Sequence, residues 1–140
     1  MLVESWLARA ARTRPETIAL HGEGGTLSYA ELDDVATRAA RALSALGVRS
    51  GDRVALALPA DASFAVALHG AMRLGAVAVP VDLRLTADER AARIAGCAAL
   101  VDAPLDGELA AGAPLLRTHD LDAPAIVVHT SGTTGAGRPV

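Results

Sequence analysis

The sequence predicts an α/β layer fold: layered strand–helix alternation around a mostly parallel sheet. Two observations predict it. Helical and strand-like hydrophobic periods alternate from one end of the chain to the other. Capping or turn residues mark most of the changes of period, with Ser-x-x-Glu at Ser28–Glu31 and Thr-x-x-Glu at Thr86–Glu89.

In order, Leu2 to Arg14 reads as a helix stopped by Pro15, which disfavours helical geometry in the residue before it. Ile18–His21 and Thr26–Ser28 are short extended runs around Gly22-Glu23-Gly24-Gly25, a hairpin signal. Behind the first capping box, Leu32, Val35, Ala36, Ala39, Leu43 and Leu46 recur at helical spacing, and Gly47 supplies the left-handed stop. Arg53–Leu58 follows the turn Ser50-Gly51-Asp52 as a buried strand. Ala62–Leu74 is a helix that is apolar nearly all round, which predicts burial between layers, and Gly75 ends it. Ala76–Val81 is the next strand, and the second capping box opens a helix to about Gly96. Cys97–Val101, Leu115–Thr118 and Ala125–Thr130 are three further short strands, with a loop or weak helix at Ala103–Pro114. Trp6 is expected to anchor the first helix.

The chain has 140 residues, 51% of them hydrophobic and 21% charged, which is ample for a core and unlike a disordered segment. No apolar run approaches the roughly 20 residues that cross a bilayer. The first stretch carries Glu4, Arg9 and Arg12, unlike a signal peptide. Net charge is −3 without a basic cluster, so nothing favours a nucleic-acid partner. The lone Cys97 excludes an internal disulfide and, with the missing leader, predicts a cytoplasmic setting. His21, His69 and His119 lack metal-ligand spacing, so no metal site is expected. All 13 basic residues are arginine, so chemistry that needs a lysine cannot be completed by this chain alone.

The segment that carries chemistry lies at the end. After the apolar run Ala125–Val128 comes His129-Thr130-Ser131-Gly132-Thr133-Thr134-Gly135-Ala136-Gly137-Arg138-Pro139. Its composition suits phosphate. Glycines let backbone N–H groups approach and converge on an anion, hydroxyls add neutral donors, and Arg138 adds a charge-assisted contact. Thr130, Ser131, Thr133 and Thr134 are the hydroxyl candidates, Gly132 and Gly135 the backbone donors. A polar turn is one alternative. A Walker A loop is another: Gly132 and Gly137 have its spacing, but Arg138 and Pro139 stand where Lys and Ser or Thr belong.

At these residues the chain resembles the adenylate-forming (AMP-binding) enzymes: acyl- and aryl-CoA ligases, peptide-synthetase adenylation domains and luciferases. His129–Gly135 is similar to that family's Tyr-Thr-Ser-Gly-Thr-Thr-Gly loop, and Leu27–Leu32 to its Leu-Thr-Tyr-x-Glu-Leu motif. Gly51–Leu56 and Leu74–Pro80 resemble two further landmarks in the right order. The chain departs from the pattern after the loop, with Gly137, Arg138 and Pro139 where Pro, Lys and Gly are usual.

The resemblance implies a two-step reaction. ATP activates a small carboxylic acid as an acyl-adenylate, and the acyl group passes to a thiol, usually that of coenzyme A. The loop would cradle the β- and γ-phosphates, with Mg2+ balancing their charge. It also implies that residues 1–140 are the N-terminal portion of the large AMP-binding domain. That portion would end at the loop 129–139, with the C-terminal domain and its lysine absent. No catalytic residue is then expected in this chain, and alone it is expected to be inactive. A loop beginning about 130 residues in resembles the compact ligases, of which those acting on o-succinylbenzoate in menaquinone biosynthesis are the specific expectation. A degenerate or truncated nucleotide- or partner-binding module is the alternative.

Overall fold

The computed structural model describes residues 1–107, 114–130 and 140. In chain order its elements are β1 (Leu2–Glu4), α1 (Trp6–Thr13), β2 (Ile18–Gly22), β3 (Gly25–Ser28), α2 (Tyr29–Ala45) and β4 (Arg53–Leu56). They continue with α3 (Ala62–Leu74), β5 (Val77–Pro80), α4 (Ala87–Ile94), β6 (Ala99–Val101) and β7 (Thr118–Asp120).

The fold is α/β, and its centre is a parallel sheet in the order β5-β4-β6. Ala125–Val127 runs along the other side of β5. The Ala78 N–H donates to the Ala125 carbonyl at 3.0 Å, and the Val127 N–H donates to the Ala78 carbonyl at 2.8 Å. These bonds make a parallel bridge, so this segment points the same way as β4, β5 and β6.

Local chemistry sets the helices. Both capping boxes form. The Ser28 hydroxyl accepts from the Glu31 N–H at 3.2 Å while the Glu31 carboxylate accepts from the Ser28 N–H at 2.7 Å. Thr86 and Glu89 repeat the exchange at 3.3 and 2.8 Å. The backbone and hydroxyl bonds hold the carboxyls of Glu31 and Glu89 below their usual range. Helix α3 runs over the span its sequence predicts, from an Asp61 cap to Gly75, whose φ of 77° is the left-handed conformation that ends it.

Helix α3 lies between the sheet and α2, and no residue from Ser63 to Leu74 is fully exposed. Its Ala67, Ala71 and Leu74 join Leu43 and Val48 and the sheet residues Val54, Leu56, Ala76, Ala78 and Val101 in the main core. Because strand side chains alternate, Ala55, Val77 and Val79 belong to the opposite face. A smaller cluster forms where α1, through Leu7, meets Leu32 and Ala36 of α2 beside the β2–β3 hairpin.

Three expectations are corrected. The first helix begins at Trp6, because Leu2–Glu4 pairs antiparallel with β7, Val3 opposite His119. The Ser5 N–H donates to the Arg117 carbonyl at 2.9 Å, which holds the chain extended up to the helix. The strand expected at Leu115–Thr118 lies at Thr118–Asp120. Leu115 packs on the main core, and the Leu116 N–H bonds the Arg73 carbonyl at the end of α3. Trp6 is not the buried anchor of α1: it is 65% exposed, and Leu7 is the buried residue of the helix. Of the expected loop at Ala103–Pro114, residues 108–113 lie outside the described residues. Leu105 packs on the core and Gly107 lies against α2, where an added Cβ would stand 2.7 Å from the Arg38 carbonyl.

Asp33 of α2 and Arg73 of α3 form an ion pair with side chains only 25% and 11% exposed. His69, one turn before Arg73, is partly buried beside them. Burial, opposed by Asp33 and aided by Arg73 and His119, pushes the His69 imidazole below its ordinary value of 6.5. Burial and Arg73 do the same to His119. A base depressed in the folded state binds fewer protons there than in the unfolded state. Stability is therefore full above pH 6.5 and falls as the pH drops through the folded values. Urea midpoints taken between pH 7.5 and 5 are expected to fall, and to fall less in His69→Leu. A flat wild-type profile would refute this.

Candidate phosphate-binding site

In open α/β sheets, ligands collect outside the carboxyl ends of the strands, where the connections diverge to either side. Here the chain passes from β4 outward to β5, then back across β4 to β6. The segment Ala125–Val127, parallel to β5, leads to Thr130 at that carboxyl end. The position is set by the pairing with Ala78, and the residue types that follow are those an anion needs.

Val128 and Val140 exchange both backbone hydrogen bonds, at 3.2 and 2.8 Å. The two ends of the hydroxyl- and glycine-rich loop are thereby joined, one residue before His129. Thr130 is exposed, at the point where the loop leaves the strand. The other candidates, Ser131, Gly132, Thr133, Thr134, Gly135 and Arg138, lie outside the described residues.

His129 is partly buried, and its Nδ1 is buried with no hydrogen-bond partner among the described residues. Burial, with the guanidiniums of Arg93 and Arg53, pushes its imidazole below the ordinary value. The sequence singles out His129 only by its place next to the loop. The influence of a strand residue and a helix residue on it follows from the fold alone. Cys97 is partly exposed; its thiol makes a long contact of 3.8 Å with the Arg93 carbonyl, and burial raises its pKa.

A second concave region lies at the other end of this strand segment. It is an apolar groove of about 400 Å3 between β1, β7 and the end of α3, lined by Leu2, Trp6, Met72, Leu116, Leu121 and Pro124 among others. Ala125 closes one side, five residues and therefore about 17 Å of extended chain from Thr130. Among the described residues no group of three or more His, Cys, Asp and Glu side chains could hold a metal ion. None of the described helices is long and apolar enough to cross a membrane.

Comparison with known proteins agrees with this fold. A feruloyl-CoA synthase from an Amycolatopsis species is 35% identical over 94% of this chain and 31% of its own length. The 2-succinylbenzoate–CoA ligase of Listeria monocytogenes is 30% identical over 97% of this chain and 32% of its own. The crystal structure of o-succinylbenzoate coenzyme A synthetase (MenE) from Bacillus subtilis in complex with AMP superposes with a TM-score of 0.91 at 30% identity. It covers 100% of this chain, which spans 42% of that one. The same synthetase is also known in complex with ATP and magnesium ion. The chain thus spans less than half the length of each of these relatives. The family described as AMP-binding enzyme matches residues 7–140, and the chain belongs to that family.

Proposed function

We propose that residues 1–140 are the N-terminal portion of the large domain of an ATP-dependent acid–thiol ligase, ending at the phosphate-binding loop 129–139. One observation carries the reading. A Thr/Ser/Gly-rich sequence follows a segment bridged in parallel to β5, and its first hydroxyl residue, Thr130, lies at the carboxyl end of the parallel sheet. In the reaction a carboxylate oxygen attacks the α-phosphorus of ATP, and the bond to pyrophosphate breaks. A thiol sulfur, that of coenzyme A, then attacks the acyl carbon and releases AMP. The contribution of the loop is to hold the β- and γ-phosphates as they become the leaving group, by positioning and by donors aimed at developing charge. Ser131, Thr133 and Thr134 supply hydroxyls, Gly132 and Gly135 backbone N–H groups, and Arg138 a guanidinium, with Thr130 at the loop's entrance. Magnesium, as in the ATP complex of the Bacillus synthetase, would share the phosphate charge.

The small-molecule acid proposed is 2-succinylbenzoate. Its support is the coverage of the whole chain by both the Listeria ligase and the Bacillus synthetase. Feruloyl-CoA synthase is as similar in sequence and keeps a hydroxycinnamate as the competing substrate.

Calorimetric titration of the chain with pyrophosphate tests the loop. Binding in the millimolar range or tighter is expected, with Arg138→Ala weakening it about tenfold through loss of a charge-assisted contact. Absence of binding, or binding indifferent to Arg138 and Thr133, overturns the loop assignment. Carboxylate-dependent ATP–pyrophosphate exchange is expected to be absent from this chain, which contains no lysine. Measurable exchange would overturn that part of the proposal.

A further inference from the structure

β1 and β7 form a two-stranded ribbon of their own, three residues against three. None of those six residues belongs to either buried cluster, so the ribbon has little apolar packing to hold it to the body. The Leu116 N–H donates to the Arg73 carbonyl at 2.7 Å, which brings the chain entering β7 against the end of α3. Alternation sorts the ribbon's side chains into two faces. Leu2, Glu4, Thr118 and Asp120 are exposed on one, where Glu4 pairs with Arg12 and Asp120 with the N-terminal ammonium. Val3 and His119 share the other, partly buried face.

The body meets His119 with cations. Arg73 of α3 acts on the His119 ring, and both of them act on His69, one turn before Arg73. Asp33 of α2 is the carboxylate of this group, and the mostly buried Arg73 guanidinium already holds it. With both imidazoles neutral, one cation faces one anion. With both protonated, three cations share one carboxylate, and the excess charge falls between β7 and α3. α2 and α3 are locked together by close packing, Ala39 against Gly70, so the ribbon is the element free to yield. We propose that His119 is a pH-sensitive latch: protonation of His119 and His69 releases the β1–β7 ribbon from α3 while the rest of the fold stays intact, and opens the apolar groove between them. Loss of stability in acid then begins at the ribbon.

Trp6, the single tryptophan, lines that groove and reports on it. Between pH 7.5 and 5 its emission is expected to shift reversibly to longer wavelength while far-UV circular dichroism holds. Amide exchange at residues 2–4 and 118–120, corrected for its intrinsic pH dependence, is expected to quicken about tenfold or more, the effect of one pH unit of differential protonation. His119→Gln keeps a neutral polar side chain and is expected to lose both changes. Should that variant fail to fold, NMR of the wild-type chain decides, the shift of the Val3 amide being expected to share the midpoint of the His119 ring. Ribbon exchange that does not quicken, or quickens only together with that of α2 and α3, overturns the proposal. So does a transition that persists in His119→Gln, or a Val3 midpoint distinct from that of His119.

Discussion

Replacing Gly70 by leucine is expected to cost the chain about 3 kcal/mol or more, lowering its melting temperature by roughly 10 °C. The reason lies in how closely α2 and α3 approach. Ala36, Ala39, Ala40 and Leu43 on α2 face Ala67, Gly70, Ala71 and Leu74 on α3, all with little or no exposure. Small residues three and four apart bring the two backbones together. A Cβ added at Gly70 would stand 2.8 Å from the Ala39 Cβ and 3.1 Å from the Ala40 backbone nitrogen. Neither neighbour is the end of a flexible side chain, so the helices must separate, and the contacts of α3 with the sheet loosen with them. Gly70→Ala is expected to cost less, about 1–2 kcal/mol, and Ala39→Gly should recover part of it in the double variant. Thermal unfolding followed by circular dichroism checks both. An unchanged melting temperature for Gly70→Leu would mean that this helix pair is not the tightly packed layer described here.

The second large effect is expected at the other tie between the same helices. Asp33→Ala leaves the Arg73 guanidinium, 11% exposed, without its carboxylate, and removal of one partner of a buried pair typically costs about 3–5 kcal/mol. Asp33 is itself 25% exposed, so solvent can reach the site, and about 2–3 kcal/mol is the figure expected here. Among the described residues Arg73 Nε is buried with no hydrogen-bond partner, so Asp33 is the main support of the guanidinium there. Replacing both residues, as Asp33→Leu with Arg73→Met, is expected to restore most of the loss, because no unpaired charge then remains buried. Denaturant midpoints of the two single variants and the double complete the cycle. A double variant as unstable as the sum of the singles would show that the pair acts through packing and not through charge compensation.

Much of this fold could be read without coordinates, and the reasons are local. Ser28 and Glu31, like Thr86 and Glu89, satisfy each other's backbone N–H groups within four residues, so both helix starts are visible in the sequence. Gly75 must take a conformation that other residues avoid, so the end of α3 is visible too. The failures share one cause. β1 and β7 are extended only because of each other, Leu2 opposite Asp120 at the far end of the chain. Three residues give no periodicity by which to separate a strand from the first turn of a helix. Trp6 illustrates the same limit. Hydrophobic character says that a side chain gains by burial, but not whether the fold places anything over it.

The sequence by itself determined the class of the protein: an α/β chain with a run of hydroxyls, glycines and one arginine after an apolar segment. Those properties reside in residue types and short spacings, which survive without knowledge of the fold. Tertiary structure alone decided that the strand before the loop lies parallel to β5, and so delivers Thr130 to the carboxyl end of the sheet. It also decided that Arg53 and Arg93 act on His129 there. These groups come from β4, α4 and the segment after Val127, dozens of residues apart in the chain. Their meeting depends on strand order and register, which hydrogen bonding between distant segments sets and no local pattern encodes.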